Sequence, residues 1–158
     1  MKLFYSPFHS FIHKILVTAH EGDLWKDITF VPCFPFKNRE GEDQGDAYSI
    51  ASLNPLDKVP TLALDDGQVI YGSQAVAECL DNMSQSGRHL YPASGSKRWE
   101  AVTRLALADT IFETTVQLAM EGWQPLEQQR IDFFKWIWPK IIRGCDSLEV
   151  SCKNGFDG

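Results

Sequence analysis

The alternation of apolar and polar residues near the start of the chain predicts a strand, a helix and a second strand. Lys2–Tyr5 and Ile28–Val31 are short runs rich in β-branched and aromatic residues, which is typical of strands. Between them, from about Ser10 to Glu21, the apolar residues fall at helical spacing, and Gly22 follows as a terminator. This order indicates a βαβ unit, in which the two strands lie parallel.

A hairpin and a second amphipathic helix are predicted further along the chain. The runs Val59–Leu64 and Gln68–Tyr71 flank the sequence DDG, which favours a tight turn between antiparallel strands. Ser73–Met83 then shows helical periodicity, and serine is a favoured residue at the N-cap position that Ser73 would occupy. A hairpin joined to a βαβ unit implies a mixed sheet, so we expect an α/β fold for this part.

The pattern changes after residue 83, and the remainder of the chain is predicted to be helical. The stretch SQSGRHLYPASGS is rich in serine and glycine, and it is the best candidate for a domain boundary. We therefore divide the chain into an α/β domain over residues 1–83, a linker over 84–95 and an all-α domain over 96–158.

Two long helices are predicted in the all-α domain. The first runs from Ser96 to about Met120 and carries Trp99 and Phe112 on one apolar face. The second runs from Glu127 to Leu148 and contains Pro139, which should kink it. The two aromatic side chains offer apolar surface that an assembly could bury.

Composition and charge narrow the classes of partner and site. The net charge of -6 disfavours nucleic acid and anionic membrane surfaces, because binding to either requires a basic face. The sequence shows no signal peptide and no run of about 18 apolar residues, so we expect a cytoplasmic protein without a membrane span. The four cysteines form no CxxC motif and the four histidines show no zinc-like spacing, so we expect free thiols and no metal site.

Three segments, in this order, resemble the glutathione transferase family: KLFYSPFHSFIHK, SLNPLDKVPTLALDDG and YGSQAVAECLD. The resemblance implies a first domain of thioredoxin-like fold, with a mixed four-stranded sheet and flanking helices, followed by an all-helical domain. It also implies that the helical domain is incomplete here, because the family's helical domain continues beyond the point corresponding to Gly158.

The middle segment carries the most specific features of the resemblance. If the Val59–Pro60 bond is cis, the N–H and C=O of Val59 point outward and can pair with an extended peptide such as glutathione. A trans proline that merely opens an edge strand is the alternative. The resemblance also brings Lys58 to the glycyl end of glutathione, although Lys58 could equally be a solvated loop residue.

The third segment implies a site for the γ-glutamyl carboxylate at Ser73. The first free N–H groups of a helix attract anions, and a plain capping role for Ser73 is compatible with that use. The family usually has an acidic residue immediately before this serine, whereas this chain has Gly72. One contact to the ligand's amine is therefore in doubt.

Two adjacent residues compete for the position that activates the glutathione sulfur. The family places a Ser, Tyr or Cys near the start of the first helix, where a donor and the helix terminus favour the thiolate. Counting from Pro7 selects Ser10, whereas counting back from the helix selects His9. We favour Ser10, whose other role would be to cap the helix. Tyr5 and Ser6 are weaker candidates.

The resemblance implies a glutathione transferase that uses glutathione as co-substrate and attaches it to a small electrophile, as in detoxification. A non-catalytic protein of the same fold, which binds glutathione or a protein partner, is the alternative. The family forms homodimers, so a homodimer is expected. Phe34 and Phe36 could line a hydrophobic substrate site or belong to the core.

Overall fold

The computed structural model describes residues 1–33 and 50–153. They form two compact units, Met1–Leu90 and one that begins at Tyr91. Phe34 and Phe36, which the sequence analysis assigned either to a substrate site or to the core, lie outside the described residues.

A four-stranded mixed sheet is the centre of the first unit. Its strands are β1 (Lys2–Tyr5), β2 (Thr29–Pro32), β3 (Thr61–Ala63) and β4 (Val69–Tyr71). Strand β1 pairs in parallel with β2 and antiparallel with β3, and β3 pairs antiparallel with β4, which gives the order β2-β1-β3-β4. The βαβ unit and the hairpin predicted from the sequence are therefore confirmed.

The hairpin between β3 and β4 turns on Gly67. The N–H of Gly67 donates to the C=O of Leu64 (3.2 Å), and the N–H of Leu64 donates to the C=O of Gln68 (2.9 Å). Gly67 has φ +91°, a conformation that glycine adopts without the steric cost that a side chain would add. This explains why the glycine of the DDG sequence falls at the end of the turn.

Two helices, α1 (Ile12–Glu21) and α2 (Ser73–Asn82), pack against each other in the first unit. Leu3 of β1 is the register partner of Leu62 of β3, and both side chains are fully buried with Ile15 of α1. Burial of one such aliphatic side chain stabilises a fold by about 1.5–3 kcal/mol. The sheet and the helices therefore share one core.

Neither serine that was expected to cap a helix does so. The N-cap position of α1 is held by Phe11 and that of α2 by Gly72, and neither helix start has a side-chain capping hydrogen bond. Gly72 has φ +89°, so the sharp turn from β4 into α2 requires glycine at the N-cap. Ser73 consequently becomes the first residue inside α2, and Ser10 lies before the cap of α1.

The second unit consists of two long helices, α3 (Gly95–Gly122) and α4 (Ile131–Lys153). Pro139 lies inside α4, as predicted, but α4 begins four residues later than expected. The delay follows from an ion pair at the helix–helix turn. The N–H of Arg130 donates to Glu121 Oε1 (2.7 Å), and its Nη2 donates to Oε2 (2.6 Å).

The contact between α3 and α4 is narrow. Leu118, Ile137 and Ile141 are buried there, and Ile111, Phe133 and Phe134 pack around them. Trp99 and Phe112 remain exposed. Among the described residues, no helix is long and apolar enough to cross a membrane.

Candidate functional site

A cavity of about 440 Å³ opens on the first unit, where the turn before α1, the loop before β3 and the start of α2 meet. Its volume lies within the range of about 300–1,000 Å³ that is usual for small-molecule sites. Ser10 and the weaker candidates Tyr5 and Ser6 are not among its lining residues, whereas the other six predicted site residues are. The described lining consists of His9, Phe11, Asn54, Leu56, Asp57, Lys58, Val59, Pro60, Tyr71, Gly72 and Ser73.

The backbone of Val59 presents unpaired hydrogen-bonding groups at the cavity. The Val59–Pro60 bond is cis, as predicted. Strand β3 begins only at Thr61, and no hydrogen bond joins the N–H or C=O of Val59 to another of the described residues. A donor and an acceptor exposed beside a strand can pair with an extended peptide in the manner of an added strand.

Two buried polar residues fix the peptide that precedes Val59. Asn54 Nδ2 donates to the C=O of Lys58 (2.8 Å), and Thr61 Oγ1 donates to the same oxygen (2.9 Å). Asn54 Nδ2 also donates to Thr61 Oγ1 (3.2 Å), and both side chains are nearly fully enclosed. The sequence analysis missed this support, although the polar Thr61 within the apolar run VPTLAL was a usable signal.

Asp57 stabilises the loop before β3 through two hydrogen bonds. Its N–H donates to the C=O of Asn54 (2.8 Å), and its Oδ1 accepts from the N–H of Ile50 (2.8 Å). Asp57 has φ +50°, a left-handed conformation that aspartate tolerates better than most residues. Lys58, which follows it, is exposed and supplies a positive charge at the rim of the cavity.

The N-terminus of α2 reaches the cavity at Gly72 and Ser73. The first bond into the helix runs from the N–H of Val76 to the C=O of Gly72 (3.0 Å), so the N–H groups of residues 73–75 have no acceptor within the helix. Those N–H groups and the helix dipole attract carboxylates. The hydroxyl of Ser73, in the first turn, adds another donor.

The backbone conformation at position 72 requires glycine, although there is space for a side chain. A Cβ at this position would meet no atom within 4 Å, yet φ is +89°. The position where the resemblance implies an acidic residue therefore has room for a side chain, but any side chain would be strained there. The carboxylate is absent because the sequence has glycine at this position, and not because the cavity lacks room for a side chain.

His9 is the candidate for activating the glutathione sulfur that lines the cavity. Its ring packs against that of Phe11, with centroids 5.3 Å apart, and its buried Nδ1 has no hydrogen-bond partner among the described residues. Burial lowers the pKa of His9, and the positive charge of Lys58 lowers it further. Both effects favour the neutral imidazole over the imidazolium.

The other candidates for activating the sulfur, Ser10, Ser6 and Tyr5, do not line the cavity. The C=O of Ser10 accepts from the N–H of His13 (3.3 Å), and Ser10 is only partly buried. Ser6 is buried, and its C=O accepts from the N–H of His9 (3.1 Å). Tyr5 lies in β1 with its ring edge-on to Phe30.

The cysteines take no part in the cavity. All four are free, as expected, and burial raises the pKa of the Cys33 and Cys79 thiols. The described residues contain no group of three or more His, Cys, Asp or Glu side chains placed to hold a metal ion.

Comparison with known proteins shows which family the first unit is similar to. Residues 8–83 match the family model for the N-terminal domain of glutathione S-transferase. An uncharacterized GST-like protein of Escherichia coli K12, YibF, is 28% identical over 149 residues, which cover 94% of this chain and 68% of that protein.

Two solved structures with bound glutathione share the fold. A glutathione transferase family member from Pseudomonas fluorescens Pf-5 has a TM-score of 0.79 and 29% identity, covering 94% of this chain and 70% of its own. A glutathione S-transferase from Methylobacillus flagellatus KT has a TM-score of 0.79 and 28% identity, covering 93% of this chain and 67% of its own.

Proposed function

We propose that the chain is a member of the glutathione S-transferase family, and that its cavity binds glutathione and activates the thiol for attack on a small electrophile. One observation carries the proposal. A single cavity combines the unpaired backbone of Val59, the free N–H groups at the start of α2, the charge of Lys58 and the imidazole of His9. Two solved relatives with similar folds hold glutathione.

Each part of glutathione has a matching group in this cavity. The central cysteinyl residue is an extended peptide unit that can pair with the N–H and C=O of Val59. The γ-glutamyl carboxylate suits the N-terminus of α2, where Ser73 also donates. The glycyl carboxylate suits the positive charge of Lys58. Asn54 and Thr61 act as positioning residues, since they hold the Lys58–Val59 peptide in place.

The proposed reaction is conjugation. The bound thiol loses its proton to solvent, and the thiolate is the nucleophile. Its sulfur forms a bond to an electrophilic carbon, and the leaving group departs with the electron pair of the bond that breaks. The protein contributes a stabilised thiolate and a fixed orientation of the reactants.

Calorimetric titration with glutathione tests the binding step, and Ser73 allows a sharp design. Because Ser73 is the first residue inside α2, proline is tolerated there. Ser73→Ala removes only the hydroxyl, whereas Ser73→Pro also removes an N–H donor. Since hydrogen bonds to charged groups contribute about 1.5–3 kcal/mol, we expect each lost donor to weaken binding by about tenfold or more.

Lys58→Ala should weaken glutathione binding only slightly, by less than about 1 kcal/mol, because the side chain is exposed. Lys26→Ala is the matched control, since Lys26 is exposed and lies outside the cavity. The absence of any heat with millimolar glutathione would overturn the proposal. Binding without conjugation of an activated aryl chloride would favour the non-catalytic alternative.

The proposal extends to assembly and location. We propose a homodimer in the cytoplasm, with detoxification of electrophiles as the role. The exposed side chains of Trp99 and Phe112 supply apolar surface for an interface. Sedimentation at micromolar protein concentration tests the dimer, and a monomeric mass would count against it.

A further inference from the structure

A second cavity, of about 550 Å³, adjoins the proposed glutathione cavity at the start of α2. Gly72 and Ser73 line both cavities, and Gln74, Ala75 and Glu78 complete the described lining of the second. A ligand group held at the first turn of α2 therefore lies beside this second set of side chains. These side chains can recognise whatever else that end of the ligand carries.

The binding mode proposed above, on which this inference rests, brings a positive charge to the start of α2. The γ-glutamyl group of glutathione carries an ammonium on the same carbon as its carboxylate. The N–H groups and the dipole at the start of α2 attract the carboxylate but oppose the ammonium. The ammonium therefore needs an acceptor and a negative charge close to this helix terminus.

Two carboxylates lie among the described residues that line the two cavities, those of Asp57 and Glu78. Asp57 belongs to the loop before β3, and its Oδ1 accepts a hydrogen bond from the N–H of Ile50. Glu78 lies on α2 and is partly buried. Because position 72 is a glycine and offers no side chain, Glu78 is the carboxylate on the helix that would hold the γ-glutamyl end.

Glu78 fixes the orientation of the Gln74 side chain. Gln74 Nε2 donates a hydrogen bond to Glu78 Oε1 (3.0 Å). An ionised carboxylate can only accept hydrogen bonds, so it selects the NH₂ end of the amide. The amide oxygen Oε1 of Gln74 is therefore turned away from Glu78, which lies one turn further into the helix. Gln74 is in the first turn of α2, where side chains lean toward the helix start, so this oxygen is an acceptor beside the γ-glutamyl end.

We propose that Gln74 and Glu78 give the cavity its specificity for the γ-glutamyl ammonium. Gln74 Oε1 accepts a hydrogen bond from the ammonium, and Glu78 is the positioning residue that orients the amide and supplies the opposing negative charge. The site thereby selects thiol peptides whose γ-glutamyl group keeps a free ammonium. Pairs of side chains four residues apart also form on helices that bind nothing. In that case neither residue would affect the discrimination between ligands.

The test compares two ligands that differ only in the ammonium. They are glutathione and deaminoglutathione, in which a glutaric acid unit replaces the γ-glutamyl residue. Both ligands present the same carboxylates, peptide and thiol, so the ratio of their dissociation constants isolates the contribution of the ammonium. Calorimetry on the full chain measures this ratio for the wild type and for Gln74→Leu, Gln74→Glu and Glu78→Gln. Binding of deaminoglutathione shows that each variant is folded.

Two further variants complete the design. Gln68→Leu is the matched control, because Gln68 is exposed and lies outside both cavities. Asp57→Asn tests the competing carboxylate, and asparagine tolerates the left-handed backbone conformation at that position.

We expect the wild type to bind glutathione about three- to tenfold more tightly than deaminoglutathione, since solvent weakens charge contacts at exposed side chains. Gln74→Leu should bring the ratio close to one. Glu78→Gln should lower it, because an amide at position 78 carries no charge and selects neither end of the Gln74 amide. Gln74→Glu should raise it, because a carboxylate is the stronger acceptor. Gln68→Leu and Asp57→Asn should leave it unchanged.

Three results would overturn the inference while the proposed function stands. The first is equal affinity of the wild type for the two ligands. The second is an unchanged ratio in Gln74→Leu or in Glu78→Gln, or a ratio that does not rise in Gln74→Glu. The third is a loss of discrimination in Asp57→Asn alone, which would assign the ammonium to Asp57. If neither ligand binds the wild type, the proposed function itself fails.

Discussion

The two units differ in how completely they bury their apolar side chains. In the first unit, Leu3, Ile15, Leu62 and Leu80 are fully enclosed. In the second, all four tryptophans are more than half exposed: Trp99, Trp123, Trp136 and Trp138. A sheet with two packed helices encloses a core, whereas each of two paired helices buries only one stripe. The cavity lies on the unit with the complete core, and such a frame holds binding groups in fixed positions.

Truncation of one core side chain in each unit gives the largest expected effect. Leu62→Ala should lower the free energy of unfolding by about 2–5 kcal/mol, because it leaves a void in a fully buried site. Ile141→Ala should fall at the lower end of that range, since Ile141 is already 8% exposed and its surroundings can collapse. Urea denaturation followed by circular dichroism measures both.

Leu62→Met is the control for the first unit, because a swap that conserves volume costs less than about 1.5 kcal/mol. If Ile141→Ala destabilises the protein as much as Leu62→Ala, the contrast between the two cores is wrong.

The close approach of α3 and α4 gives the second effect. A Cβ on Gly144 would lie 2.8 Å from Ile111 Cδ1 and 2.9 Å from its Cγ1. Gly144→Ala should therefore destabilise the second unit by about 1–3 kcal/mol through overpacking. Thermal unfolding measures the loss, and adding Ile111→Val should recover part of it.

Gly122→Ala is the matched control, because a Cβ there meets no atom within 4 Å. Its effect should stay within about 0.5 kcal/mol. An unchanged stability of Gly144→Ala would contradict the prediction, because it would show that the side chain of Ile111 moves aside without cost.

The smallest effect concerns the ion pair that sets the start of α4. Hydrogen bonds from Arg130 hold the pKa of Glu121 below its usual value in the folded protein. A depressed folded-state pKa stabilises the fold above the unfolded-state pKa, and the contribution is lost as the pH falls through the folded-state value. Glu121→Gln should therefore be less stable than the wild type at neutral pH, and the difference should close below about pH 4.

Glu127→Gln provides the comparison, since Glu127 is exposed in the same turn. A stability difference between Glu121→Gln and the wild type that stays constant with pH would show that the charge of Glu121 does not act through Arg130.

Patterns of residue type predicted the element order and the mixed sheet, and the resemblance to the glutathione transferase family implied six of the residues that line the cavity. These features depend on periodicity and on short motifs that the chain carries locally. The helix starts could not be predicted in the same way. The positive φ of Gly72 decides that Ser73 lies inside α2, and the Glu121–Arg130 pair decides where α4 begins.

The candidate site was harder to predict where backbone geometry decides the outcome. Two counts along the sequence selected different residues, and Ser10 was favoured over His9. The path of the turn before α1 instead brings His9, and not Ser10, into the lining of the cavity. The support from Asn54 was also hidden, because its contact with the C=O of Lys58 exists only once the loop has folded.

Nuclear magnetic resonance tests most directly the claim that the first unit carries the glutathione site. Glutathione would be titrated into the nitrogen-15-labelled chain, and the shifted backbone amides would be mapped. The account predicts the largest shifts at His9, Lys58, Val59, Gly72 and Ser73, and none of comparable size in α4. Shifts concentrated in α3 and α4, or no shifts at millimolar glutathione, would contradict it.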